Sequence, residues 1–122
     1  MGGAGGGGAS NILKLIENGV YQNGFSLTGN VYQADGYKYL HGDTVSHTSP
    51  VLDLSQYSTI YIESQGWDGL CTVVIGSVAD NLTTGGRHTQ TLNISSVTSA
   101  SIQMIMQNTN AYCLIFNMWL EK

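Results

Sequence analysis

The residues able to do chemistry are few, and their spacing says first what they do not form. A hydrolytic triad needs a nucleophile, a base and an orienting acid. Serine is plentiful and three histidines are present, but no Gly-x-Ser-x-Gly elbow occurs. His41 and His47 lie in one polar connection and His88 sits beside Arg87. A glycosidase would need two carboxylates facing each other across a cleft. Asp35 and Asp68 each precede a glycine, where Asp is favoured by turn geometry alone. Asp35, Asp43, Asp53, Asp68 and Asp80 offer the oxygen ligands that calcium uses, but no D-x-D-x-D-G loop gathers them. Only a calcium site built from separate loops is left open. Cys71 and Cys113 lack the close Cys/His spacing of a zinc site and read as buried free thiols rather than as a disulfide. These patterns predict no catalytic residues, no cofactor and no metal centre, and hence a protein that is not an enzyme.

Aromatic side chains give a second kind of chemistry. A flat ring can stack on the C–H face of a sugar while planar polar groups read its hydroxyls. Trp67 is the first choice for this role, because it falls in the turn Gly66-Trp-Asp-Gly69, where burial in a core is difficult. Asp68, Tyr37 and Tyr39 could join it as glycan-binding residues. The competing expectation is that Trp67 caps the edge of the fold. Cys113, Ile115 and Trp119 are apolar positions on the second face of the closing strand, and packing explains them better, within a subunit or between subunits of a homo-oligomer.

The elements that must position these residues are strands. Residues 59–63 alternate, with Ile60 and Ile62 on one face and Tyr61 and Glu63 on the other. Asp68-Gly69 then reads as a turn leading back into the apolar run 70–75. Asn18-Gly19 and Asp35-Gly36 mark hairpins at 12–22 and 30–40, and a second Asn-Gly at 23 and 24 leads into an extended run over 25–28. A short strand is expected over 44–48, residues 77–87 read as polar and turn-rich, and alternation resumes at 88–95 and 101–107. The strand 111–120 closes the chain, with Tyr112, Leu114, Phe116, Met118 and Leu120 expected to face the core. No segment has a convincing helical period. Many short strands with frequent turn signals predict an all-β, antiparallel β-sandwich of jelly-roll type.

Composition narrows the partners. Of 122 residues, 10% are charged, against roughly 25% in ordinary soluble domains. Ser, Thr, Asn and Gln number 39, so the surface is polar but nearly uncharged. The four cations, Lys14, Lys38, Arg87 and Lys122, form no basic patch, and the net charge is -4, which argues against nucleic acid. No stretch approaches the ~20 apolar residues of a membrane span, and no Sec-type leader is visible, although a leaderless route of export stays open. Residues 1–10 are low-complexity, with Gly2, Gly3, Gly5, Gly6, Gly7 and Gly8. They read as a docking arm or a linker ahead of one domain spanning 11–122.

Two stretches carry a resemblance. Leu52-Asp-Leu-Ser-Gln-Tyr-Ser-Thr-Ile-Tyr-Ile62 resembles a strand opening found in jelly-roll domains of the carbohydrate-binding-module type and in small sandwich modules of phage structural proteins. Tyr112-Cys-Leu-Ile-Phe-Asn-Met-Trp-Leu120 is similar to the final strand of the same modules, and a Gly-rich arm on a compact β-domain is similar to phage fibre, tail or capsid-decoration proteins. The resemblance implies a component of a bacteriophage virion, a homo-oligomer held by its arm to other virion proteins and contacting host surface glycans. The alternative it implies is a stand-alone carbohydrate-binding module, secreted or on a cell surface. It carries over no catalytic residues.

Overall fold

The computed structural model describes residues 11–67, with Trp67 as backbone alone, together with 71–82 and 85–122. The glycines of the N-terminal arm, the Trp67 side chain and Asp68 lie outside the described residues. Within that range the chain forms thirteen strands and no helix. They are β1 (Ile12–Glu17), β2 (Val20–Tyr21), β3 (Val31–Ala34), β4 (Tyr37–His41), β5 (Ser46–Thr48), β6 (Leu52–Asp53) and β7 (Thr59–Trp67). The remainder are β8 (Cys71–Ile75), β9 (Val78–Leu82), β10 (Gly85–Asn93), β11 (Ser99–Ala100), β12 (Ile102–Met106) and β13 (Tyr112–Glu121). All pairings are antiparallel.

The larger sheet runs β10-β7-β13-β1-β2. The first half of β13 also pairs with β4, and β4 with β3, so the long closing strand divides its second edge between β4 and β1. The smaller sheet runs β9-β8-β12-β5, and β6 pairs with β11. Alternation drives the two sheets together. Ile60, Ile62, Ile115 and Met118 from the larger sheet and Val73, Ile75, Ile102 and Met104 from the smaller are all 0% exposed. Burying each such side chain contributes about 1.5–3 kcal/mol, so the inner faces alone account for the layered form. The result is an antiparallel β-sandwich of jelly-roll type.

Four expectations change. β7 and β8 are not partners in a hairpin: β7 pairs with β10 and β13, β8 with β9 and β12, and the chain passes from one sheet to the other between them. Their apolar residues meet as opposing layers, not as neighbours in one. The polar stretch 77–87 contains β9, an edge strand with one buried apolar residue, Leu82, whose ladder is supported by Thr72 Oγ1 donating to Asn81 Oδ1 at 2.8 Å. Residues 25–28 pair in no sheet and instead send Phe25 and Leu27 into the core.

The fourth change concerns β13. Its even positions do not all point inward, because a β-bulge at Phe116 shifts the register against β7 between Ile115 and Asn117. One extra residue reverses the side-chain parity. Before the bulge Cys113 and Ile115 face the core at 2% and 0% exposure; after it Met118 and Leu120 do. Cys113 and Ile115, for which packing within a subunit or at a subunit contact was expected, are therefore interior residues. Tyr112 and Leu114, expected inside, stand on the outer face.

Candidate functional site

The outer face of the larger sheet gathers the aromatic side chains into three groups along β13. At one end Tyr39 and Tyr112 stack with centroids 5.2 Å apart and planes 5° from parallel. Tyr32, directly opposite Tyr39 across the β3–β4 hairpin, meets it edge-on at 5.9 Å, and His41 stacks against Tyr39 on its own strand. Tyr39 and Tyr112 border an open depression whose other lining residues are Asn108 and Asn110, from the turn before β13. Aromatic surface thus lies beside planar amides that can both donate and accept hydrogen bonds.

The hairpin β1–β2 helps to place this end. Asn18 and Gly19 take φ of 49° and 74°, the left-handed pair that a tight hairpin turn requires. A Cβ on Gly19 would lie 2.2 Å from the Tyr37 backbone nitrogen, so only glycine lets the turn butt against the start of β4. Gly19 N–H donates to the Phe116 carbonyl at 2.9 Å, tying the same turn to the bulge.

The middle group is built by two bulges. One is Phe116 on β13; the other lies between Gly85 and His88 on β10, and the two flank β7 from opposite sides. Bulges re-aim side chains, and here they bring Arg87 over Phe116, with Cζ 3.9 Å from the ring centroid. Tyr37 packs on the same ring at 5.6 Å. Arg87 Nε donates to Glu63 Oε2 at 2.7 Å, and Asn117 Nδ2 donates to Glu63 Oε1 at 2.7 Å. The hydrogen bond from Arg87 above all holds the Glu63 carboxyl below its ordinary range; burial opposes it, and the Asn117 amide adds to the lowering. Glu63 is thus a fixed carboxylate with both oxygens engaged.

At the far end Tyr61 and Trp119 face each other in register across β7 and β13. They stack at 4.9 Å with planes 4° apart. Tyr61 Oη donates to Glu121 Oε1 at 2.8 Å, and this hydrogen bond to a carboxylate raises the phenol pKa. Tyr61 covers one face of the indole. On the other side, towards β1, Trp119 borders a mainly apolar cavity of about 230 Å³ completed by Ile12, Lys14, Ile16, Glu17 and Asn117. Lys14 and Glu17 form an ion pair at its rim.

The sequence-predicted residues Tyr37 and Tyr39 fall on this face. Trp67 pairs through its backbone with Tyr112, which puts its strand position at the Tyr39–Tyr112 end. Tyr112, Phe116, Tyr61, Glu63 and Arg87 were not among the expected site residues, and Trp119 was expected at a subunit contact. The outward parity of Tyr61 and Glu63 is visible in the alternation of β7; the positions of Phe116 and Arg87 depend on bulges and are not.

No protein-family model and no curated protein matches the sequence. Solved structures do match in three dimensions. A family 29 carbohydrate binding module variant, studied for its mechanism of ligand recognition, superposes with a TM-score of 0.69 over 92% of both chains at 9% identity. The fold is shared with family 29 carbohydrate binding modules. Another variant of that module, complexed with cellulohexaose, gives a TM-score of 0.67 at 9% identity over 89% of both chains. A family two carbohydrate esterase from Cellvibrio japonicus matches 90% of this chain but 32% of its own, with a TM-score of 0.59 and 13% identity. At these identities the likeness concerns architecture.

Proposed function

We propose that this chain is a carbohydrate-binding module that takes an extended glycan along the outer face of its larger sheet. The observation that carries the reading is the line of aromatic groups on that face, Tyr39–Tyr112, Phe116 beneath Arg87, and Tyr61–Trp119. Tyr112 and Trp119 lie seven residues apart on β13, a span of roughly 20 Å in an extended strand, which suits an oligosaccharide better than a single sugar. The free face of Trp119 and the Tyr39–Tyr112 pair supply stacking surfaces at the two ends. Between them Glu63, Arg87 and Asn117 form a polar centre that mutual hydrogen bonds hold in place, so little ordering is required on binding. Asn108 and Asn110 offer hydroxyl-reading amides at one end and Lys14 and Glu17 a charged rim at the other.

This reading replaces attachment to a phage virion as the favoured function. The arm on which the virion reading rests lies outside the described residues, and the similar structures reported above are carbohydrate binding modules and a carbohydrate esterase. Trp119 decides between a glycan surface and a subunit contact. In isothermal titration with cellulohexaose and other soluble β-linked oligosaccharides, Trp119→Ala is expected to weaken binding about tenfold or more, as loss of a buried aromatic anchor does at other interfaces. Light scattering should show an unchanged mass. If the intact chain binds none of these sugars and the substitution instead dissolves an oligomer, the glycan reading fails.

A further inference from the structure

The two cysteines occupy opposite layers of the sandwich, and both face its interior. Cys71 opens β8 in the smaller sheet, in register with Leu82 and Met106; Cys113 lies on β13 in the larger sheet, in register with Leu40 and Gly66. Both are free and buried, at 4% and 2% exposure. The chain itself links the two positions over a few residues. Gly66 sits beside Cys113 on the adjacent strand, and five residues later the same chain is Cys71 in the other sheet, so the crossing is short. Gly66 shares the inward parity of Cys113 but carries no side chain to fill the gap between the layers. The contact between the thiols also registers electrostatically: the Cys71 thiol, ahead of burial, pushes the Cys113 pKa well up.

We propose that Cys71 and Cys113 form an inter-sheet disulfide when the chain folds in the presence of a small-molecule or protein disulfide as oxidant. One cysteine thiolate attacks the oxidant's S–S bond, giving a mixed disulfide and one reduced thiol. The second cysteine, deprotonated in turn, attacks the cysteine sulfur of that mixed disulfide and releases the second reduced thiol. Two cysteine thiols are oxidised, one external disulfide is reduced, and the two protons pass to the leaving thiols. Because the closed sandwich hides both sulfurs, the exchange belongs to the folding chain, before the layers seal. Once made, the bond is shielded from reductants by the same burial. It would pin β8 to β13 one residue from Tyr112, at the Tyr39–Tyr112 end of the outer face.

The test uses the full chain, unfolded in guanidinium with dithiothreitol and refolded either with oxidised and reduced glutathione or with dithiothreitol kept in excess. Intact mass and thiol titration under denaturing conditions read the product. The proposal expects the glutathione-refolded monomer to lose both thiols, to be lighter by two hydrogens, and to release a Cys71–Cys113 cross-linked peptide on non-reducing digestion. The closed loop is long, so the midpoint of thermal unfolding should rise by something on the order of 10 °C over the reduced form. Cys71→Ser and Cys113→Ser should each abolish the mass change and the dithiothreitol sensitivity, and Cys71→Ala with Cys113→Val supplies a folded control if serine is not tolerated. Two thiols persisting in the folded monomer, a stable glutathione adduct, a cross-linked dimer, or a disulfide that leaves the midpoint unchanged or lower would each overturn it.

Discussion

The sandwich turns two β-faces outward, and they carry different chemistry. The smaller sheet presents Ser46 and Thr48 from β5, Gln103 and Ile105 from β12 and Thr72 and Val74 from β8. It is a short-chained surface stitched by hydrogen bonds such as Gln107 Nε2 to Thr72 Oγ1 at 2.6 Å. The larger sheet presents Tyr39, Tyr112, Phe116, Tyr61 and Trp119 in contact pairs, with a carboxylate and a guanidinium fixed among them. Folding requires apolar residues on the inner faces, and both sheets meet that requirement. It does not require an aromatic line on one outer face and not the other. The core therefore does not account for the difference, which under the proposed reading belongs to glycan binding.

The most severe way to break the comparison is to remove what separates inside from outside on β13. Deleting Phe116 removes the bulge and reverses the parity of one half of the strand, so that either Cys113 and Ile115 or Met118 and Leu120 must face water. Exposing two such side chains costs several times the ~1 kcal/mol typical of a point change, and the deletion variant is expected to lose its cooperative thermal transition by circular dichroism. A variant that melts close to the parent protein would show that the bulge does not set the two faces.

A milder change acts on one face alone. Tyr112→Ala removes half of the stacked pair with Tyr39 and should weaken glycan affinity several-fold. Thr72→Ala on the opposite face should leave affinity unchanged, and equal losses from both would erase the distinction between the faces. The smallest effect expected is one of pH. Glu63 titrates below its ordinary value of 4.5 because Arg87 and Asn117 stabilise the carboxylate. Its contribution to stability is complete above that value and is lost as pH falls through the lower folded-state pKa. Glu63→Gln should therefore lower stability modestly at neutral pH, where the contribution is complete, and flatten the acid limb of the unfolding curve below about pH 4.5. An acid limb identical to that of the parent chain would remove Glu63 from the account.

The fold was legible because period-2 alternation is written residue by residue. Ile60 and Ile62 against Tyr61 and Glu63 gives a half-buried strand directly, and Asn18-Gly19 gives its hairpin. What was not legible depends on register between distant strands. Nothing local at Phe116 announces a bulge, so Tyr112 and Leu114 read as core when they stand on the outer face, and Ile115 read as a second-face position when it is interior. The same is true of Arg87, which reads as part of a polar turn until the irregularity on β10 puts it over Phe116. Asp68-Gly69 reads as a hairpin turn because local turn chemistry does not reveal that its flanking strands belong to different sheets. Tyr37 and Tyr39 were recognisable as ring surface from their hairpin, whereas the pairing of Tyr61 with Trp119 joins a mid-chain residue to one near the C-terminus and could not be read from either.

The most direct measurement is an NMR titration of the isotopically labelled chain with cellulohexaose, following every backbone amide and the two indole N–H signals. The account predicts saturable shifts concentrated on β4, β7 and β13 and at the Trp119 indole, with the amides of Thr72, Gln103 and Thr48 unmoved. Shifts centred on the smaller sheet, or none at all with this sugar and with other extended β-linked oligosaccharides, would contradict it.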